Sequence, residues 1–298
     1  VSTLFFCLFP YAFLFTIYPR ISDTLSNTFK IFLPTFGSDW FYQFIFIKEM
    51  TPLDKISLIC KKQSTEKAEP HLGTYFQGWL MAHLPSEYVE HLHHSGLKPY
   101  TIKAITFGDT IHFVIGLLNE EASKQIGSLL LNPDCREITL DMSQQRQFSI
   151  VDKHIQHLSE KDLSEIFYHS GALPPAFTLY FRSATAFKSQ GEYIFFPDVR
   201  LLFQSLMKKY SYVFEGTEHV DVELLEEICR QTKITGYRVS SSYYSVHNVR
   251  IPGFIGEVRF KCRGNQTLRN YVAMLLHFAE YAGVGIKTSM GMGAVSLK

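Results

Sequence analysis

Downstream of Met50 the apolar positions alternate between short strand-like runs and longer helical spacings. Residues 53–60, Leu-Asp-Lys-Ile-Ser-Leu-Ile-Cys, alternate in part and carry the aliphatic side chains that suit a half-buried strand. The spacing predicts a helix over 74–84 and, after Pro85, a second short one over 87–93. Two strand-like runs, 100–107 and 110–117, flank Gly108-Asp109 and read as a hairpin. A helix is predicted over 120–131, strands near 137–140 and 147–151, and a helix over 158–168. Ser170-Gly171-Ala172-Leu173-Pro174-Pro175 then reads as a linker.

The second half repeats the plan. A strand is predicted over 177–181, a helix over 199–212 and an inserted helix over 222–232. A strand near 236–242 pairs with one over 254–263, a helix covers 267–282, and a strand-like tail runs from Ala294 to Lys298. In the run 254–263, Gly256, Val258, Phe260 and Cys262 point one way, and Glu257, Arg259, Lys261 and Arg263 the other. Each half follows the order β-α-β-β-α-β. The expected fold class is therefore α+β, with tandem ferredoxin-like (RRM-like) βαββαβ domains over 50–170 and 175–298.

Between the last helix and the tail lies Gly283-Val284-Gly285-Ile286-Lys287-Thr288-Ser289-Met290-Gly291-Met292-Gly293. Four glycines permit positive φ and close backbone approach, and Lys287 and Thr288 sit among them, a composition suited to phosphate. The order helix, glycine loop, strand is the reverse of the nucleotide-binding loops, in which a strand feeds the loop and a helix follows. ATP and NAD are thus poor ligands for it, and a polynucleotide backbone a better one. A terminal helix, a G-x-G-x-K-T-x-x-G-x-G loop and a final strand resemble the CRISPR-associated endoribonucleases that process precursor CRISPR RNA, within the RAMP superfamily of RNA-binding proteins. Phe181-Arg182-Ser183-Ala184-Thr185-Ala186-Phe187 and Phe196-Pro197-Asp198 resemble the same family's C-terminal pattern. The resemblance covers about 50–298 and is strongest in the second half.

Charge and composition narrow the reading. The net charge is +1, so nothing global announces nucleic-acid binding and an RNA site must rest on a local patch. Arg259, Lys261 and Arg263 form such a stripe, which Arg250 extends beside His247 and Asn248. An ordinary solvated strand face is the plainer reading of the stripe. Five scattered cysteines without C-x-x-C spacing argue for reduced thiols in a cytoplasmic protein and against structural zinc. Residues 1–49 stand apart: they hold eleven of the chain's 26 phenylalanines and none of its histidines. The leading expectation is a gene-start error, with Met50 as the true first residue. A membrane-associating extension and an ordered cap are the other readings, and a peptide from before Met50 in the endogenous protein would separate them.

Histidine is concentrated at His83, His91, His93 and His94, followed by Lys98. Metal-free RNA cleavage needs a base for the 2′-OH, a cation for the charged phosphorane and an acid for the departing 5′-oxygen. Histidine titrates near neutrality and suits the proton-transfer roles. His91 and His93 are spaced i, i+2, which does not bring them to one metal on a helix, and no cysteine or carboxylate cluster joins them, so no metal or other cofactor is expected. The resemblance implies roles for Leu92-His93 and Lys98, which occupy the places of the family's Leu-His step and following lysine: His93 as general acid/base, Lys98 as transition-state stabiliser. Some members carry a tyrosine in the first helix. Here that helix reads Phe76-Gln77-Gly78-Trp79-Leu80-Met81, which leaves the third role to His83 or Tyr75. For RNA binding the candidates are Gly283, Gly285, Lys287, Thr288, Gly291, Gly293, Arg250, Arg259, Lys261 and Arg263. The resemblance implies a metal-independent endoribonuclease acting on the repeat of precursor CRISPR RNA. The alternative is a non-catalytic RAMP subunit bound to other effector proteins. No membrane partner is expected.

Overall fold

Strand β1 (Leu53–Lys61) buries Ile56, Leu58 and Cys60 on one face, as its alternation requires. The computed structural model describes residues 53–61, 71–142, 145–168, 173–246 and 249–298. Met50, the segment before it, the first part of the expected linker, His247 and Asn248 therefore lie outside the described residues. After β1 come α1 (Leu72–His83) and α2 (Ser86–His94), then the hairpin β2 (Tyr100–Phe107) and β3 (Thr110–Leu117). A composite helix follows: α3 (Glu120–Ala122), a π-helical turn (Ser123–Gly127) and α4 (Ser128–Leu131). The Asn119 side chain caps it, accepting from the Ala122 N–H at 2.8 Å. Strands β4 (Glu137–Leu140) and β5 (Arg146–Leu158) and helix α5 (Glu160–Tyr168) complete the first half.

The first sheet is antiparallel, in the order β2-β3-β1-β5-β4. Its first four strands are the ferredoxin-like set, and β4 is an added edge strand. The fourth strand of the plan is therefore β5, which runs seven residues past the expected 147–151. The expected strand and helix leave 152–157 without an element, but pairing with β1, Ile155 opposite Ile56 and His157 opposite Asp54, holds these residues extended. The core lies on the helix side, where Phe76 of α1 stacks on Phe113 of β3 at 4.7 Å and Leu80, Ile115, Ile126 and Leu130 close around them.

In the second half, β6 (Ala176–Thr185) leads to the small hairpin β7 (Phe187–Ser189) and β8 (Glu192–Ile194). Next come α6 (Val199–Tyr210), extended by a π-helical turn (Ser211–Glu215), α7 (Val222–Gln231), β9 (Thr232–Val246) and β10 (Val249–Cys262). Helix α8 (Gln266–Ala282), a 3-10 turn (Thr288–Met290) and β11 (Val295–Leu297) close the chain. The sheet order β11-β6-β10-β9 is the ferredoxin-like order in full. Strand β9 exceeds the expected 236–242 because the serine run 240–242 continues in register with β10 up to Val246 opposite Val249.

Helix α8 ties the halves together. It is apolar nearly all round, with Leu268, Val272, Leu275, Leu276, Phe278, Ala279 and Ala282 buried, as a helix enclosed on several sides must be. Asn265 caps its start, accepting from the Leu268 N–H. Its end is bound to the first sheet: Thr101 Oγ1 donates to Tyr281 O at 2.7 Å and Lys103 Nζ to Glu280 O at 2.5 Å. Residues 51–298 thus form one compact unit. No helix among the described residues is long and apolar enough to cross a membrane.

Candidate functional site

The glycine loop emerges from α8 between the two halves and is shaped mainly by protein contacts. Gly283, Gly291 and Gly293 are buried. Gly291 has φ 107°, and a Cβ there would collide with the Tyr244 hydroxyl. Gly285 has φ 77° and lies against Ala186 O. Loop donors are engaged in turn: Val284 N–H to Gly293 O, Gly285 N–H to Ser205 Oγ, Ile286 N–H to Ala186 O and Gly293 N–H to Ala184 O. In the crest Lys287–Ser289, Thr288 and Ser289 are half-buried, like Gly285, Ile286 and Met290, and the exposed residue is Lys287. Its φ of 53° places a non-glycine residue in the left-handed region, a backbone cost that turns the ammonium outward at the summit.

The first half grips the other side of this loop. Gly73, at the start of α1, meets Gly291 backbone to backbone; a Cβ on Gly73 would lie 2.7 Å from Gly291 Cα. Thr74 Oγ1 and the Tyr244 hydroxyl both donate to Met290 O, at 3.3 and 2.6 Å. Burial raises the Tyr100 phenol pKa, and hydrogen bonds with Gln77 and Ser289 oppose that rise. The loop is therefore locked to α1, β2 and β9 together.

Lys98 lies close to the crest. Its ammonium donates to Leu92 O and to Ser95 O, the latter at 2.8 Å, so it is anchored on the end of α2. Burial first, and then the nearby Lys287 charge, hold its pKa below the usual lysine value. A cation of the second half thus acts on one of the first, an arrangement that suits an anion near both. His93 is exposed in the last turn of α2, six residues from the start of the sheet-bound Pro99-Tyr100 step. On the second-half side, Glu218 reaches Gly96 in the same segment and pairs with Lys208 at 2.7 Å.

His83 sits at the end of α1, its Nδ1 2.8 Å from Trp79 O and its ring 4.5 Å from the Trp79 ring. It lines a cleft of about 490 Å3 together with Tyr75, Gln77, Gly78, Trp79 and Asp141. The two candidates for the third role, His83 and Tyr75, therefore share one face of α1, while Gln77 links that cleft to Tyr100 and Ser289.

The cationic candidates divide. Arg250 stacks over Tyr243, 4.2 Å from the ring centroid, at the end of the β9–β10 pair nearest the loop. The expected alternation of β10 is observed: Val258, Phe260 and Cys262 are buried, and Arg259 and Lys261 exposed. Arg259 is paired with Glu257 at 2.8 Å, and Lys261 stands opposite Lys233. This stripe runs to the start of α8, not its end. The loop packs near Ala184 and Gly253, roughly 20 Å along the strand from Arg259 at ~3.3 Å per residue. Arg263 lies beyond β10, its N–H bonded to Gln231 O.

Sequence reasoning passed over Lys209 and Ser205, which hold the loop. One signal was present: Leu202, Leu206 and Lys209 follow helical spacing, which sets a lysine on the apolar face of α6. Among the described residues no group of three His, Cys, Asp or Glu side chains is placed to hold a metal.

Comparison with known proteins places these features. A family model for the CRISPR-associated endoribonuclease Cas6 matches residues 179–295, from β6 through the glycine loop. A Cas6 of Streptococcus thermophilus is 39% identical over 227 residues, covering 76% of this chain and 91% of the relative. A Cas6 of Mycobacterium tuberculosis is 35% identical over 230 residues, covering 76% and 72%. Among solved structures, a Cas6 product complex superposes with a TM-score of 0.66 at 21% identity over 83% of this chain and 99% of that one, a likeness of fold. On the strength of the extended identity to the streptococcal and mycobacterial proteins, the chain belongs to the CRISPR-associated endoribonuclease Cas6 family.

Proposed function

We propose that this protein cleaves precursor CRISPR RNA within its repeats, without a metal ion, by attack of a ribose 2′-OH on the adjacent phosphate. His93 takes the 2′-hydroxyl proton. The 2′-oxygen bonds to phosphorus, Lys98 and the crest stabilise the charged phosphorane, and the 5′-oxygen leaves with a proton from a second group, for which His83 is the candidate. The products are a 2′,3′-cyclic phosphate and a 5′-hydroxyl. Gly283, Gly285, Lys287, Thr288, Gly291 and Gly293 shape or contact the RNA backbone, with Arg250 beside them and Arg259, Lys261 and Arg263 further along its track. The cytoplasm, where the transcript is made, is the expected compartment.

The observation that supports the reading most is the exposed Lys287 at the crest of the loop, whose charge acts on Lys98 of the other half. A lysine charge acting on a part-buried lysine from the other half of the chain is a poor arrangement for stability alone and a good one for a phosphate. Family membership and a fold neighbour solved as a product complex support it. The test is repeat RNA incubated with His93→Ala protein in EDTA. Cleavage is expected to vanish while binding persists; undiminished cleavage rejects the role given to His93. One observation favours a second reading, a non-catalytic RNA-binding subunit of an effector complex: the first helix has Gln77-Gly78 where some family members carry tyrosine. Wild-type protein that binds the repeat but never cuts it would establish that alternative.

A further inference from the structure

Helix α6 forms a base plate beneath the glycine loop. Ser205 and Lys209, one turn apart, face it together. Ser205 Oγ accepts from Gly285 N–H at 3.0 Å. Lys209 is only 7% exposed, and its Nζ donates to Ala282 O at 3.0 Å, Gly283 O at 3.1 Å and Thr288 Oγ1 at 3.3 Å. One ammonium therefore holds the last carbonyls of α8 and the side chain at the crest. Thr288 Cγ2 in turn packs against the positions where Cβ atoms would sit on Gly283 and Gly293, so the tether closes the loop across its base.

Lys209 is costly to keep there. A buried ammonium needs several acceptors or a counter-charge to offset lost hydration. Its partners are two carbonyls and a hydroxyl, and burial pushes its pKa down to about 7. A plain helix terminator would not require the third contact. Lys103 provides the comparison: it is equally buried, and its hydrogen bonds go to Glu280 O and Val295 O at the same end of α8, not to the crest.

We propose that Lys209 is a positioning residue: from beneath, it sets the spacing between the end of α8 and Thr288, and so the shape in which the loop receives an RNA phosphate. This rests on the RNA-cleaving reading above for its ligand, but the loop geometry can be tested without RNA.

The experiment compares Lys209→Met with Lys103→Met, two losses of one buried ammonium at one helix end. Hydrogen exchange is measured at the amides of Gly285, Ile286 and Met290, and repeat-RNA affinity over a salt series. Lys209→Met is expected to speed exchange at these amides at least tenfold and to weaken RNA binding about tenfold. Its slope of log affinity against log salt should be unchanged, because the side chain displaces no counter-ion. Lys103→Met is expected to alter loop exchange and affinity less than threefold. Equal effects from the two variants would mean simple helix termination and overturn the proposal, as would wild-type exchange in Lys209→Met. Should Lys209→Met fail to fold, Thr288→Val removes the loop-side acceptor alone; loop exchange like wild type in that variant overturns the proposal too. If the wild-type protein binds no repeat RNA, the functional reading fails, and the exchange comparison still decides the role of Lys209.

Discussion

Lys98 and Lys287 come from opposite halves of the chain, and the effect of one charge on the other makes a pH test specific. Burial and the neighbouring charge lower the Lys98 pKa. A phosphate seated between the two ammoniums favours the protonated form, so RNA affinity is complete below the depressed pKa and falls as pH rises through it. The fall is expected at lower pH than for a lysine with the usual value of about 10.4. Lys98→Arg, which keeps its charge, should flatten the profile in binding titrations across the alkaline range. His93 and Lys98 could be singled out from sequence because their spacing matches a family pattern. Lys209 was hidden because its importance depends on which oxygens fold against it, and that is set by contacts 73 to 79 residues away.

Elements were legible where their own side chains settle the conformation. The hairpin 100–107 and 110–117 is observed with those bounds, since Gly108-Asp109 makes the turn and both flanking runs are apolar. Strands β5 and β9 extend further than expected because their outer parts are polar and rely on a neighbour. The loop was legible in composition but not in packing: its glycines answer first to Tyr244, Ala186 and Gly73, and Lys287 is its exposed residue. An element-scale prediction follows from the distance between the ends of α8. Asn265→Ala removes the cap and should cost about 1 kcal/mol of stability, read as a lower denaturation midpoint. At 17 residues the helix spans roughly 25 Å, so RNA affinity of the folded variant should stay within about twofold of wild type.

At the scale of the molecule, the two ferredoxin-like sheets share α8, whose side chains are buried nearly all round and whose carboxyl end is hydrogen-bonded to the first sheet. Residues 51–298 are therefore expected to unfold in a single calorimetric transition; two separated transitions would show independent halves. The cationic stripe makes a second prediction at this scale. Arg259→Ala with Lys261→Ala should make the salt dependence of RNA binding shallower by about one or two, yet leave the cleavage rate of bound RNA unchanged, because Arg259 lies roughly 20 Å along the strand from where the loop packs. The tandem plan was legible from the order of elements, whereas the shared helix was not, since amphipathic spacing does not say how many partners a helix has. That helix also aims its carboxyl terminus at the loop. Aligned peptide dipoles leave about half a negative charge at such an end, which would repel a polyanion. Lys103 and Lys209, donating to its final carbonyls, offset that pole, and so let the longest helix among the described residues end inside the protein without an uncompensated negative end.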